Sequence, residues 1–272
     1  MSMRLFETRH ASIGAPAGEK PAGSPVAISI RAVSKVYGYA GNAVHALDNV
    51  SLDIADGEFV CLLGTSGCGK STLLNLIAGL DLPTKGETEV RGGRTTLMFQ
   101  ESALFPWLTV RGNIELPLKL RKLSKDRRRQ VVEQLLELVH LTAFAKKLPH
   151  ELSGGMRQRV SLARALAQQA EVLLMDEPFG ALDAMTRDVL HDEIERLWRD
   201  TGLTIVFVTH NVREAVRLGD RVVLLSSRPG RVAAEWQVDI PRPRRIESHS
   251  VADLSAEIMG SLREEVRRHG TV

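Results

Sequence analysis

Apolar and polar positions change rhythm several times along the chain, and each change marks an element. Residues 26–37 (VAISIRAVSKVY) and 50–54 (VSLDI) read as strands, and turn residues such as Asp56 and Gly57 separate them from 58–63 (EFVCLL). The unbroken apolar character of that third run predicts a strand buried on both faces. The period then lengthens: KSTLLNLIA over 70–78 predicts a helix, with Gly79 as its C-cap. A polar, glycine-containing stretch follows, then a short strand over 95–99 that ends at Gln100. Ser124 is placed to cap a helix with Val131, Leu135, Leu138 and Val139 on one face. A second helix starts after residues 152–155 and carries Val160, Ala163 and Ala167.

The apolar strand over 171–175 ends in Asp176 and Glu177. A helix with Met185, Val189, Ile194, Leu197 and Trp198 comes next, and the strand over 204–209 ends at His210. Another strand, 221–225, precedes a turn at Arg228, Pro229 and Gly230. Near the end, Leu254, Ile258, Leu262 and Val266 recur every four residues as one stripe of an amphipathic helix. Strands alternating with helices predict an α/β fold, with a mostly parallel sheet covered on both faces. The mainly helical stretch over about 101–164 interrupts that alternation and predicts an inserted helical subdomain. Residues 1–25, rich in Ala, Gly, Ser and Pro, read as a mobile tail. Leu104, Phe105, Trp107 and Leu108 crowd together around Pro106. Core packing and a partner-binding patch both account for so apolar a loop.

Composition narrows the class only modestly. The 272 residues are 43% hydrophobic and 25% charged, as in an ordinary soluble globular protein, and the net charge is +3. Arginines cluster at 127–129, 242–245 and 267–268. They read as solvated faces, with nucleic acid or anionic lipid contact as the alternative. The two cysteines, Cys61 and Cys68, make neither a disulfide framework nor a metal site. Cys61 lies in a buried strand, and Cys68 sits beside a helix N-terminus that is expected to lower its pKa. Neither a signal peptide nor an apolar run of about 18 residues is present, so a cytoplasmic location is expected, with any membrane role supplied by partner chains.

The chemistry centres on Gly64, Thr65, Ser66, Gly67, Cys68, Gly69, Lys70, Ser71 and Thr72, a GxxxxGK[ST] loop between a strand and a helix. Glycines let backbone N–H groups turn inward as an anion nest, and the following helix adds its positive end. Lys70 is placed to reach the β- and γ-phosphates of a nucleotide, and Ser71 to put a hydroxyl on Mg²⁺. Asp176 and Glu177 end a strand, where ligands bind in open α/β sheets. The aspartate suits holding Mg²⁺ through its water shell, and the glutamate suits polarising an attacking water. His210 and Gln100 end two further strands. His210 suits a γ-phosphate contact, and Gln100 suits contact with both Mg²⁺ and water, although a structural role fits each residue alone. Ser153, Gly154 and Gly155 open a helix as a second small-residue nest, which one nucleotide at Lys70 leaves unused.

Together these pieces resemble the ATP-binding cassette family. The phosphate loop, Gln100, the LSGGM signature over 152–156, Asp176 with Glu177, the ALD segment over 181–183 and His210 occur in the family's order across about residues 26–240. The resemblance implies a P-loop NTPase core over 26–245, with an N-terminal antiparallel β subdomain and a C-terminal helical extension over 246–272. It also implies that two copies pair head to tail, each ATP lying between one chain's phosphate loop and the other's Ser153, Gly154 and Gly155. Tyr37 matches the aromatic that stacks on adenine, with Tyr39 close by. The family's signature usually ends in Gln where this chain has Met156; with Ser153 and the glycines intact, activity is expected to survive. A narrower resemblance, to importer cassettes for nitrate, sulfonate and taurine, rests on FQESALFPW over 99–107, on Met156 and on SSRPGR over 226–231. It implies an ATPase subunit that drives a separate permease fed by a solute-binding protein, with the segment after Gln100 docking the permease. The alternative is a cassette ATPase acting on nucleic acid or ribosomes. Such relatives tend to carry long coiled-coil insertions or two cassettes in one chain; neither is present, and no nucleic acid partner is expected.

Overall fold

The computed structural model describes residues 25–92, 94–180 and 182–269. Apart from Pro25, the expected N-terminal tail lies outside them, as does Ala181. Two sheets organise the chain. β1 (Val26–Tyr37) pairs antiparallel with both β2 (Val44–Ala55) and β4 (Lys85–Val90), giving the order β2-β1-β4. The second sheet uses β3 (Phe59–Leu63), β5 (Thr95–Met98), β6 (Val172–Asp176), β7 (Thr204–Val208), β8 (Arg221–Leu225) and β9 (Val232–Gln237). Its order is β5-β6-β7-β3-β8-β9, parallel throughout except for β9 at the edge.

The period-2 alternation within the apolar runs decides which core each side chain joins. Leu173 and Met175 of β6 face one core with Cys61 and Phe207; Val172 and Leu174 face the other with Val60 and Val206. The second core is closed by α1 (Lys70–Ile77) and the antiparallel sheet. The first is closed by α2 (Val110–Leu120), α3 (Lys125–Leu138), α4 (Gly154–Ala167), α5 (Ala184–Thr201) and α6 (Val212–Leu218). Helices α2, α3 and α4 all come between β5 and β6, where the pattern broke from strand–helix alternation. Ser124 does cap α3, accepting from the Arg127 amide.

Four expectations need correcting. Met185 is 80% exposed and Val189 is also out in solvent, because the buried face of α5 runs instead through Leu190, His191, Ile194, Leu197 and Trp198. In α7 (His249–His269) the stripe turns in its last stretch: Val251, Ser255, Ile258 and Glu265 are buried and Val266 is exposed. The basic cluster at 242–245 is not a solvated face throughout. Arg244 is buried and donates to the carbonyls of Val216, Gly219, Val238 and Ile240, closing the C-terminal end of α6. Burial and the neighbouring Arg242 push its pKa down to about 10. Arg242 bridges Glu195 and Asp220 and stacks 4.5 Å over Trp198. Two strands, β4 (KGETEV) and β9 (VAAEWQ), escape the apolar pattern because both are edges with little buried surface of their own.

Candidate active site

The ends of the parallel strands assemble the site. β3, wholly buried, delivers the chain to the phosphate loop. Gly67 (φ +78°) and Gly69 (φ +100°) adopt the left-handed backbone that the turn requires. A Cβ on Gly69 would also stand 2.8 Å from the Ala46 carbonyl oxygen. Lys70 is buried, and its ammonium donates to the carbonyls of Gly64 (2.8 Å) and Thr65 (2.9 Å), so it lies across the mouth of the loop. The thiol of Cys68 is buried under that loop. Burial pushes its pKa up, outweighing the lowering by Lys70, which reverses the depression expected from the helix end.

A turn from the far end of the chain braces the loop from outside. The Ser227 and Thr65 hydroxyls meet at 3.3 Å, and Arg228 Nε donates to the Gly67 carbonyl at 3.4 Å. Gly230 lies so close that a Cβ there would stand 2.1 Å from the Cys68 carbonyl oxygen. The turn is held in its own right. Gly230 N donates to Ala46 O (2.9 Å), Asp48 N donates to Gly230 O (3.0 Å), and Arg231 pairs with Asp48. The sequence marked 226–231 as a resemblance only; contact with the phosphate loop was not legible there.

Asp176, at the end of β6, accepts a hydrogen bond from Ser71. Burial raises its pKa; the Ser71 bond lowers it, Glu177 raises it further and Lys70 opposes. Glu177 sits at φ +43°, an uncommon conformation for a residue with a side chain, held by its N–H donating to Val208 O at 3.1 Å. That kink aims its carboxylate at His210, whose Nδ1 lies 3.1 Å from Glu177 Oε2. A carboxylate only accepts, so the proton of that bond sits on Nδ1. The His210 side chain is otherwise open, 67% exposed.

Gln100 follows β5 with an exposed side chain, and its carbonyl accepts from Gln158 Nε2 of α4 at 2.5 Å. Arg164 of the same helix donates to the carbonyls of Ser102 and Ala103. The helix that starts at the signature thus holds the segment after β5, through residues the sequence reading did not single out. The 104–108 loop is partly buried at one end and exposed towards the other. Leu104 packs on the core and Asn113 clamps the Phe105 backbone, while Trp107 is 72% exposed.

Ser153 caps α4, accepting from Met156 N at 3.2 Å. A Cβ on Gly155 would lie 3.3 Å from Leu182 and 3.4 Å from Thr186, so this end packs against the start of α5. Met156 packs its thioether against the core. Among the described residues, no hydrogen bond joins Ser153, Gly154 or Gly155 to the phosphate loop. Tyr37 is partly engaged: its hydroxyl donates to Asp81 Oδ2 (3.0 Å) and the Lys35 ammonium lies 4.9 Å from its ring centroid. Tyr39 is 94% exposed.

A strand–loop–helix phosphate cradle, with a carboxylate pair and a histidine at neighbouring strand ends, defines a P-loop nucleotide hydrolase. Residues 47–180 match the ABC transporter family. An uncharacterized ABC transporter ATP-binding protein of Methanocaldococcus jannaschii is 42% identical over 248 residues, 89% of this chain and 93% of that one. The nitrate import ATP-binding protein NrtD of Synechocystis is 46% identical, over 79% of this chain and 83% of its own. The bicarbonate transport ATP-binding protein CmpC of Synechococcus elongatus is 47% identical over 84% of this chain, which spans 36% of that longer protein. Among solved structures, the dimeric post-hydrolysis state of the ATP-binding cassette MJ0796 bound to ADP and Pi superposes with a TM-score of 0.72 at 35% identity. It covers 78% of this chain and 98% of its own. The chain belongs to the ABC transporter family and is an ATP-binding cassette ATPase.

Proposed function

We propose that the chain is the ATPase subunit of an importer for a small anionic solute of the nitrate or bicarbonate kind, working as a head-to-tail pair on a separate permease. The observation that carries the reading is the alignment of Lys70, Ser71 with Asp176, and Glu177 with His210 along adjoining strand ends. The phosphate loop cradles the polyphosphate, and Lys70 turns from the loop carbonyls to the phosphates. The paired hydroxyl and carboxylate of Ser71 and Asp176 make a hard-oxygen donor set that fits Mg²⁺, with the open side chain of Gln100 as a further ligand. When bound, that ion neutralises charge on the β- and γ-phosphates. Glu177 takes the proton of the attacking water, and His210 holds the Glu177 carboxylate and faces the γ-phosphate.

Ser153, Gly154 and Gly155, the first two exposed, serve the ATP of the second copy, and Tyr37 or its neighbour Tyr39 stacks on adenine. Trp107 docks the permease, which receives solute from a binding protein and holds this subunit at the inner face of the membrane. No described helix is long and apolar enough to cross a membrane; in this reading the membrane-spanning part belongs to the permease. The similarity to nitrate and bicarbonate proteins supports import over action on nucleic acid.

The experiment is Glu177→Gln. ATP binding should persist, hydrolysis should slow by about 10²-fold or more, and ATP should hold a stable dimer. Wild-type turnover in the variant would remove Glu177 from the mechanism. Co-expression with its permease, followed by uptake of labelled nitrate or bicarbonate into vesicles, tests the solute class; ATP-dependent uptake of neither rejects it.

A further inference from the structure

The hydrolytic residues rest on a buried polar chain that none of the chemistry above uses. Thr209, just before His210, is buried, and its hydroxyl donates to Glu214 Oε2. The same hydroxyl oxygen accepts from the amide of Asn211, just after His210, at 3.0 Å. The backbone on both sides of the histidine is therefore clasped by one hydroxyl, and that hydroxyl is anchored by one carboxylate. Glu214 in turn meets His191 Nε2 at 2.6 Å.

The protonation of His191 follows from its other neighbour. Arg217 lies 3.2 Å from Nδ1 and can only donate, so Nδ1 accepts and the ring proton sits on Nε2, pointing at Glu214. Arg217 itself is held by Asp188 and Asp192 on α5. The Phe179 ring, two residues after Glu177, packs on His191 in a T-shaped pair with centroids 5.5 Å apart. Glu214 also lines the cleft that Glu177 and His210 share. His191 and Glu214 are almost wholly buried, which is costly for such groups unless every polar atom serves.

We propose that Glu214 is the positioning residue of this site: through Thr209 and the Asn211 amide it fixes the backbone around His210 and so sets the His210–Glu177 contact, with His191 holding Glu214 in place. This rests on the reading of Glu177 and His210 as the hydrolytic pair. In this reading Glu214 acts through His210 and is given no contact with the reacting atoms of its own.

The test uses the purified full chain, with steady-state ATPase rates and the Kd of a fluorescent ATP analogue. Glu214→Gln keeps one accepting oxygen but turns an amide N–H₂ on one of the two donors, His191 or Thr209. It should lower kcat by about 10- to 100-fold, since misplacement by about 1 Å costs on that order, with Kd within about threefold. In a His210→Ala background the same change should lower kcat by less than about twofold, because the residue it positions is gone. A merely structural role predicts the full loss in both backgrounds, and that result overturns the proposal. So does a Glu214→Gln rate within twofold of wild type. If Glu214→Gln does not fold, His191 decides. His191→Gln can donate to Glu214 and accept from Arg217, so it should restore turnover to within about threefold of wild type, whereas His191→Leu should lose about tenfold. Equal losses in those two variants overturn the proposal. A wild-type rate for His210→Ala rejects the hydrolytic reading itself, and the proposal with it.

Discussion

Gly230 offers a direct test of whether the turn over 226–231 shapes the phosphate loop. Its φ lies outside the left-handed region, so alanine strains nothing but space. That space is absent: the added Cβ would stand 2.1 Å from the Cys68 carbonyl oxygen and 3.1 Å from Leu47 Cδ2. Comfortable C···O separations are about 3.3–3.6 Å, so the two backbones must part by roughly 1 Å. The nearer partner is main chain rather than the end of a flexible side chain, and the turn is tied down by Gly230 N to Ala46 O and by Asp48 N to Gly230 O. The phosphate loop therefore takes much of the shift. Overpacking of this kind costs about 1–3 kcal/mol, which lowers Tm by about 2–12 °C for a domain of this size. A displacement of about 1 Å at the phosphates should reduce kcat/KM by about 10²-fold. The assay is ATPase activity and ATP affinity of Gly230→Ala at a temperature below both unfolding transitions, so that lost activity is not lost fold. Gly260→Ala on α7, where nothing lies within 4 Å of the added carbon, is the control and should match wild type. Wild-type affinity and turnover in Gly230→Ala would refute the bracing of the phosphate loop.

Two further outcomes separate roles that a structure alone leaves joined. Trp107→Glu should abolish association with permease-containing membranes while basal ATPase activity and Tm stay unchanged, because the ring is mostly in solvent; equal loss of folding and ATPase activity would return Trp107 to the core. Asp176→Asn should abolish hydrolysis yet raise Tm at pH 7 in metal-free buffer. Burial raises the Asp176 pKa, so the stability this acid contributes is complete below the ordinary carboxylate range, near pH 4, and is lost as pH rises through the raised value. Asn carries no such loss; the gap in Tm should therefore close as pH falls towards 4. A gap that does not change with pH would show that the carboxylate is not strained by burial.

How much of this was legible in the sequence depended on the kind of interaction. The strand–loop–helix turn over 64–72 was, because its glycines, Lys70 and Ser71 are nearly consecutive and its backbone geometry is imposed by local sequence. So were Asp176, Glu177 and His210, since a strand buried on both faces must end where polar residues begin. The edge strand β4 was not. Its place comes from hydrogen bonds to β1, such as the ladder that sets Thr88 opposite Ile30, and backbone bonding leaves no mark in a polar sequence. The sequence also misjudged Cys68, because a helix end is visible in sequence and desolvation is not.

The arginines at 242–245 and the pair His191 and Glu214 teach the same lesson from opposite sides. Read singly, Arg242 and Arg244 were surface charges, and nothing in the sequence singled out His191 or Glu214. In the fold they are buried groups with partners 20 or more residues away: Arg244 on the carbonyls of Val216 and Gly219 besides two nearer ones, Arg217 on Asp188 and Asp192, Glu214 on His191. A charged side chain that sequence pattern alone cannot explain is thus a place to look for a built contact. Here all of these contacts converge on α6, the helix that begins two residues after His210. Asn211 satisfies its first amides, Arg244 its last carbonyls, and Glu214 ties its first turn back to Thr209. A helix of seven residues has little stability of its own; the packing of Val212, Ala215, Val216 and Leu218 into the core seats it, and those three attachments fix its two ends. The histidine at its head is therefore only as well placed as the polar groups that hold α6. For that reason the double variant of Glu214 and His210 tests this site more sharply than either change alone.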